Sequence, residues 1–198
     1  NNYISADRTN VSSFGYGVVT AQSTGNNQVL LGNTAVTQIR AQVTGITAYS
    51  DARFKSNVKN DVHGLDFIMQ LQPVTYSENP EILHKIWGTP DSVLSAIDHS
   101  QIKDMRFIGL IAQDVEKAMK ECGWNDFPGI DIPQNSNQAY SLRYTDFIIP
   151  LVKSVQEQQL EIETQNAVIA DQQIIIDQQQ AAITDLMKRV EALEASMQ

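Results

Sequence analysis

The chain has 198 residues, 42% of them hydrophobic, and 14 basic against 23 acidic side chains give a net charge of −9. That length holds one or two domains with an ordinary core. The acidic balance, with no basic cluster, excludes nucleic acid as a partner, because phosphate contacts need grouped Lys and Arg. The single Cys122 excludes an intrachain disulfide framework. His63, His84 and His99 are scattered and read as surface or internally satisfied side chains, so neither a metal nor a cofactor is expected. No apolar stretch approaches the ~20 residues of a membrane span, so no membrane partner is expected. No signal peptide opens the chain, and the start at Asn1 reads as a cut from a longer protein, where an export signal would have stayed behind. Neither a phosphate-cradling glycine loop ending in Gly-Lys-Ser/Thr nor a GxSxG elbow is present.

Three zones follow in order. Residues 1–49 are rich in Gly, Thr, Asn, Gln and Val and poor in charge. Thr37, Ile39, Ala41 and Val43 alternate there with Gln38, Arg40, Gln42 and Thr44, the period-two pattern of a strand with one buried face. Gly15, Gly17, Gly25, Gly32 and Gly45 mark turns or close approaches. Too small to bury a core alone, this zone reads as the end of a β-rich fibrous stalk packed against other copies.

Residues 50–144 have the composition of a mixed globular domain. A strand or turn near Tyr49–Val58 precedes an amphipathic helix through Leu65, Phe67, Ile68 and Leu71, stopped by Pro73. Asp91 is placed to cap a helix through Val93, Leu94 and Ile97. Phe107–Ile111 reads as an apolar strand and Gln113–Glu121 as a helix ending at Gly123. Asn125–Asn137 reads as loop and Tyr140–Tyr144 as a short strand. Thr145 is the expected N-cap of a long helix over 145–198, with Pro150 in its second turn, where it removes a hydrogen bond and bends the axis.

Along that helix Ile148, Val155, Ile162, Ile169, Ile176, Ile183 and Val190 recur every seventh position. Leu151, Gln158, Gln165, Gln172, Gln179, Leu186 and Leu193 follow each by three. This is a heptad seam with β-branched residues in one layer and mostly glutamine in the next. Buried amides need partners across the axis, and a three-stranded core leaves room for them to meet, so the spacing predicts a parallel homotrimer. Acidic residues outnumber basic ones along it, making a solvated acidic rod. The expected fold class is α+β: a trimeric β-rich stalk end, a small mixed domain and a parallel three-stranded coiled coil.

Chemistry is concentrated at the junction of the first two zones, in Ser50-Asp51-Ala52-Arg53-Phe54-Lys55. A serine hydroxyl becomes a nucleophile when a base takes its proton, and a desolvated lysine can be that base. Five residues of strand span ~17 Å, and in a helix the two side chains lie ~140° apart. Either the chain turns sharply between them or the lysine comes from a neighbouring subunit.

Those residues open a set of motifs. They are SDARFK; Leu71-Gln72-Pro73-Val74-Thr75-Tyr76; Phe107-Ile108-Gly109-Leu110-Ile111-Ala112-Gln113-Asp114-Val115; and Tyr140-Ser141-Leu142-Arg143-Tyr144 running into Leu151–Glu157. In this order, ahead of a coiled coil, the sequence resembles the C-terminal intramolecular chaperone and autoprotease domain of phage endosialidases, tail fibres and neck appendages. The same domain type occurs in myelin regulatory factor. The resemblance covers Ser50 to about Gln159.

The resemblance implies a domain that promotes assembly of an upstream trimeric β-stalk of the same polypeptide, then releases itself by cutting before the motif serine. Carried over, the nucleophile is Ser50, the base is Lys55 and the scissile bond is Tyr49–Ser50. Asp51 and Arg53 take orienting or interface roles. Gly109, Ala112 and Gln113 match the Phe107–Val115 motif, and packing explains them better than catalysis. The implied setting is a virion fibre made in the bacterial host cytoplasm, or else a bacterial surface fibre, with the released fragment soluble. Residues 77–103, containing Trp87 and Pro90, depart from the pattern by their length and read as an extra arm gripping a neighbour. The rival reading is a non-cleaving trimerisation cap. A membrane-tethered regulator of the myelin-factor type is weakened by the lack of a span and of a basic surface.

Overall fold

The computed structural model describes residues 9–18, 25–43 and 45–197. They fall into two units, Asn1–Asp61 with Met69–Ile148 and Val62–Ile68 with Ile149–Gln198.

The first unit opens with two short strands, β1 (Val11–Phe14) and β2 (Gln28–Leu31), paired in parallel with Val11 opposite Gln28 and Phe14 opposite Leu31. Polar contacts repeat the same step. Asn10 Nδ2 donates to Asn27 Oδ1 at 3.0 Å, the Thr9 N–H to Asn26 Oδ1 at 2.9 Å, and Asn33 Nδ2 to the Tyr16 carbonyl at 2.9 Å, each across 17 residues. Parallel strands with stacked amides at a fixed step are the geometry of a solenoid rung. The strand expected from the alternation at 37–44 is not formed. Residues 37–43 have no regular structure, Ile39 and Val43 are 69% and 77% exposed, and Thr44 lies outside the described residues. Alternation makes a strand only where a neighbour takes its hydrogen bonds and covers its apolar face.

The mixed part of this unit carries two antiparallel pairs. Strand β3 (Val74–Tyr76) pairs with β4 (Phe107–Gly109), Val74 facing Gly109, and β5 (Ile130–Asp131) pairs with β6 (Ser141–Leu142), Ile130 facing Leu142. Between β3 and β4 lie three short helices, α2 (Pro80–Ile86), α3 (Asp91–Leu94) and α4 (Ser100–Lys103). Asn79 caps α2 by accepting the Glu81 N–H at 3.1 Å, with Pro80 in the first turn where its missing donor costs nothing. After β4 comes α5 (Ala112–Glu121), which buries Val115, Ala118 and Met119 at helical spacing; Phe127, Ile130 and Phe147 are buried as well. The rings of Trp124, Phe127 and Phe147 follow one another at centroid distances of 4.6 and 5.0 Å.

The second unit consists of α1 (Leu65–Ile68) and α6, a single helix of 49 residues over Ile148–Ser196 that starts in the first unit. The Leu65 N–H donates to Glu157 Oε2 at 2.8 Å, so the carboxylate satisfies a donor at the start of α1. The whole is mixed α and β, consistent with α+β.

Four local expectations are corrected. Asp91 is the first residue of α3, behind Pro90, and caps nothing. Residues 125–137 hold β5 within the expected loop. Thr145 lies inside a 3-10 turn, Tyr144–Phe147, and α6 begins at Ile148. Pro150 therefore sits in the first turn of α6, where N–H groups lack intrahelical partners and a proline is tolerated. No helix among the described residues is long and apolar enough to cross a membrane.

Candidate functional site

The Ser50 junction is built from a turn. Asp51 has extended backbone and caps a 3-10 turn, Ala52–Phe54, by accepting the Arg53 N–H at 2.8 Å. Lys55 closes it, its N–H donating to the Ala52 carbonyl at 3.2 Å. A 3-10 turn rises less than strand and rotates faster than an α-helix, so the side chains on either side of it come back together. Lys55 Nζ lies 2.6 Å from Ser50 Oγ as donor to the hydroxyl. Both side chains of this contact belong to one chain.

The Asp51–Arg53 pair braces the turn. Arg53 Nε lies 2.9 Å from Asp51 Oδ2, and Nη2 2.6 Å from the same oxygen. The guanidinium first, and then the Arg53 backbone N–H, hold the Asp51 carboxyl below its ordinary value. The arginine is raised in turn by the same contact. Every residue from Tyr49 to Lys55 is exposed, Tyr49 at 94%. In the single chain the Tyr49–Ser50 bond and the Ser50 and Lys55 side chains therefore face solvent.

Gly109 and Gln113 belong to a second cluster. Gly109 is buried at the end of β4, and a Cβ there would overlap the Tyr144 hydroxyl, which also accepts the Leu110 N–H at 2.9 Å. Burial, then the neighbouring Tyr144 and Glu78, raise the Tyr76 hydroxyl above the usual tyrosine value. Gln113 is exposed in the first turn of α5 and, with half-buried Ala112, borders a groove of about 560 Å³ beside Tyr76 and Tyr144. Among the described residues no hydrogen bond joins this cluster to Ser50 or Lys55.

A third cluster escaped the sequence reading. His84 and His99 are 1% and 6% exposed, with ring centroids 5.5 Å apart. The Thr34 hydroxyl lies between them, 2.7 Å from each Nε2, and the Thr89 hydroxyl is 3.0 Å from His84 Nδ1. Fifteen positions of sequence separate the two rings, and nothing in their spacing announces the pairing. His63 instead pairs with Asp66 at 2.5 Å in the second unit.

Compared with known proteins, residues 50–124 match the model of a peptidase family described as chaperone of endosialidase. The match opens on Ser50 and ends at Trp124, short of the Tyr140–Tyr144 motif and of the long helix. Neither the curated proteins nor the solved structures gave a match. Residues 50–124, which contain the Ser50–Lys55 turn and the Gly109 cluster, are thus the part of the chain that is similar to the chaperone of endosialidase family.

Proposed function

We propose that the chain is an intramolecular chaperone that assembles an upstream β-fibre as a homotrimer and then frees itself by cutting the Tyr49–Ser50 bond. The observation that carries this reading is the 2.6 Å contact between Lys55 Nζ and Ser50 Oγ at the first residue of the family match. The family description supports the chaperone role and a place on a phage tail fibre or spike. The heptads of α6 support the three-stranded coiled coil, and the 17-residue offset that pairs residues 9–16 with 26–33 supports a fibrous stalk upstream.

In the proposed reaction the neutral Lys55 amine takes the Ser50 Oγ proton as the oxygen attacks the Tyr49 carbonyl carbon. The C–N bond breaks, the proton passes to the Ser50 amine, and an ester joins Tyr49 to Ser50 Oγ. Water hydrolyses it, restoring the hydroxyl and leaving a Tyr49 carboxylate. The reaction needs an uncharged lysine, and shielding of the exposed junction by neighbouring copies is the physical route to one. Cutting would then follow assembly and make it kinetically one-way.

Denaturing electrophoresis tests the reading. The chain should yield fragments 1–49 and 50–198, while Ser50→Ala and Lys55→Ala stay whole. A lysine acting within its own chain predicts no rescue when the two variants are co-expressed and mixed trimers form; rescue would move the base to a neighbour. The exposure of both side chains favours a second reading, a non-cleaving trimerisation cap, and an uncut wild-type trimer would establish it.

A further inference from the structure

The histidine pair sits in the helical segment between β3 and β4, and what it holds is Thr34, which precedes the Ser50 junction. Residues 33–36 lie against α2 and α4 over a pocket of about 330 Å³ bordered by Val36, Pro80, Leu83 and Ile102. Asn33 fixes their path, its Nδ2 donating to the Tyr16 carbonyl at 2.9 Å and its Oδ1 accepting the Ala35 N–H at 2.9 Å. That turn presents the Thr34 hydroxyl to two buried rings. A hydroxyl has one proton to give, so it donates to one imidazole Nε2 and accepts from the Nε2–H of the other. One ring must therefore present a bare Nε2 and the other an Nε2–H for the arrangement to close.

We propose that residues 79–103 are a receptor for the stalk end of their own chain, keyed by the Thr34 hydroxyl between His84 and His99, which keeps stalk and domain joined after the backbone is cut. The segment thus grips the polypeptide it releases, where length alone pointed to a neighbour. This rests on the cleavage reading for its biological use but not for its existence. After a cut at Tyr49–Ser50, Thr34 and its receptor lie on different fragments, and this contact holds them until it opens.

Acid opens it. Burial, and then His99, hold His84 below the ordinary histidine value. Burial and Lys103 lower His99, while Glu81 and Asp98 pull the other way. Lys103 is itself tied to Glu81 at 2.5 Å. A base whose proton affinity falls on closing leaves the closed state complete above its free value near 6.5 and weakens it as the pH drops below that. A proton on the accepting ring's Nε2 would set two N–H donors on one hydroxyl, and a proton on either ring would place a cation beside a second buried imidazole.

Hydrogen exchange of the full chain carrying Ser50→Ala tests the receptor without any cut. Residues 33–36 should be protected at pH 7.5, and Thr34→Val should speed their exchange ~10-fold to ~100-fold, because it strands two buried nitrogens. Thr34→Ser should restore protection. Corrected for intrinsic rates, protection should also fall at pH 5, and His84→Gln with His99→Gln should abolish that pH dependence. Unchanged exchange in Thr34→Val, or equal protection at both pH values, overturns the proposal. In the cut wild type the two fragments should co-elute at pH 7.5 and separate at pH 5. Absence of fragments counts against the cleavage reading alone, since the exchange result stands apart from it.

Discussion

Arg53 grips Asp51 from two sides: its guanidinium forks onto the carboxylate while its own backbone N–H donates to Oδ1 at 2.8 Å. One side chain therefore caps the turn and fixes the residue two positions on, and the turn is what brings Lys55 to Ser50. Asp51→Ala should leave the fold intact, since the pair is exposed, yet slow the proposed cut by ~10-fold to ~100-fold through misplacement of the base. Asp51→Asn keeps the cap acceptor, loses the ion pair and should fall between. The lowered carboxyl is charged at and above its ordinary value of 3.8, and the brace fails only as the pH falls through its still lower folded value. Asp51→Asn should accordingly leave the shape of the neutral pH–rate profile unchanged. A displaced profile in a time course on gels would give Asp51 a role in proton transfer.

Gly109 makes room for Tyr144. A methyl at 109 meets the Tyr144 hydroxyl and approaches that of Tyr76 to 3.2 Å, and the strand pairing with Val74 leaves the backbone no slack. Gly109→Ala should cost about 1–3 kcal/mol by overpacking, read from urea denaturation. Tyr144→Phe removes the colliding oxygen and also a partner of the Leu110 N–H. Alone it should destabilise, but in the double variant it should recover part of the Gly109→Ala loss. Strictly additive losses would place the strain elsewhere.

What the sequence made legible was periodic or local. The helix read over Gln113–Glu121 with its stop at Gly123 matches α5 to within a residue, and the heptads lie along α6. The serine and lysine were legible as a motif, but their approach depends on a 3-10 turn set by Asp51, a side-chain cap that neither strand nor helix arithmetic contains. Thr145 and Pro150 misled because the chain reaches α6 through a 3-10 turn that shifts its start by three residues. The His84–Thr34–His99 contact stayed hidden because it joins residues 50 and 65 positions apart, with no periodic signal at either end.

Gly64 plays the part in the second unit that Gly109 plays in the first. It is buried, and a Cβ there would press on the Glu157 carboxylate and the Lys153 stem. Glu157 accepts from Leu65 at 2.8 Å and pairs with Lys153 at 3.5 Å. Gly64→Ala should push that carboxylate off the start of α1 and speed amide exchange of Leu65 by about tenfold, near the value of one charge-assisted hydrogen bond. Glu157→Gln retains an acceptor and should lose less than Glu157→Ala. Equal exchange in all three variants would show that α1 is held without this carboxylate.

The isoleucines of α6 set the proposed trimer. Ile162, Ile169, Ile176 and Ile183 are 49%, 60%, 54% and 50% exposed in the single chain, which leaves an open apolar stripe along α6. Burying such a side chain is worth about 1.5–3 kcal/mol, so Ile169→Asn with Ile176→Asn should remove enough from each strand to yield single chains in sedimentation equilibrium. The intervening glutamines act in the opposite sense. Gln172→Leu should raise the melting temperature of the coil, yet broaden the distribution of strand numbers, because an amide in the core costs stability and specifies partners. A wild-type chain sedimenting alone, or a double asparagine variant still trimeric, would move the assembly determinant out of this helix and into the stalk.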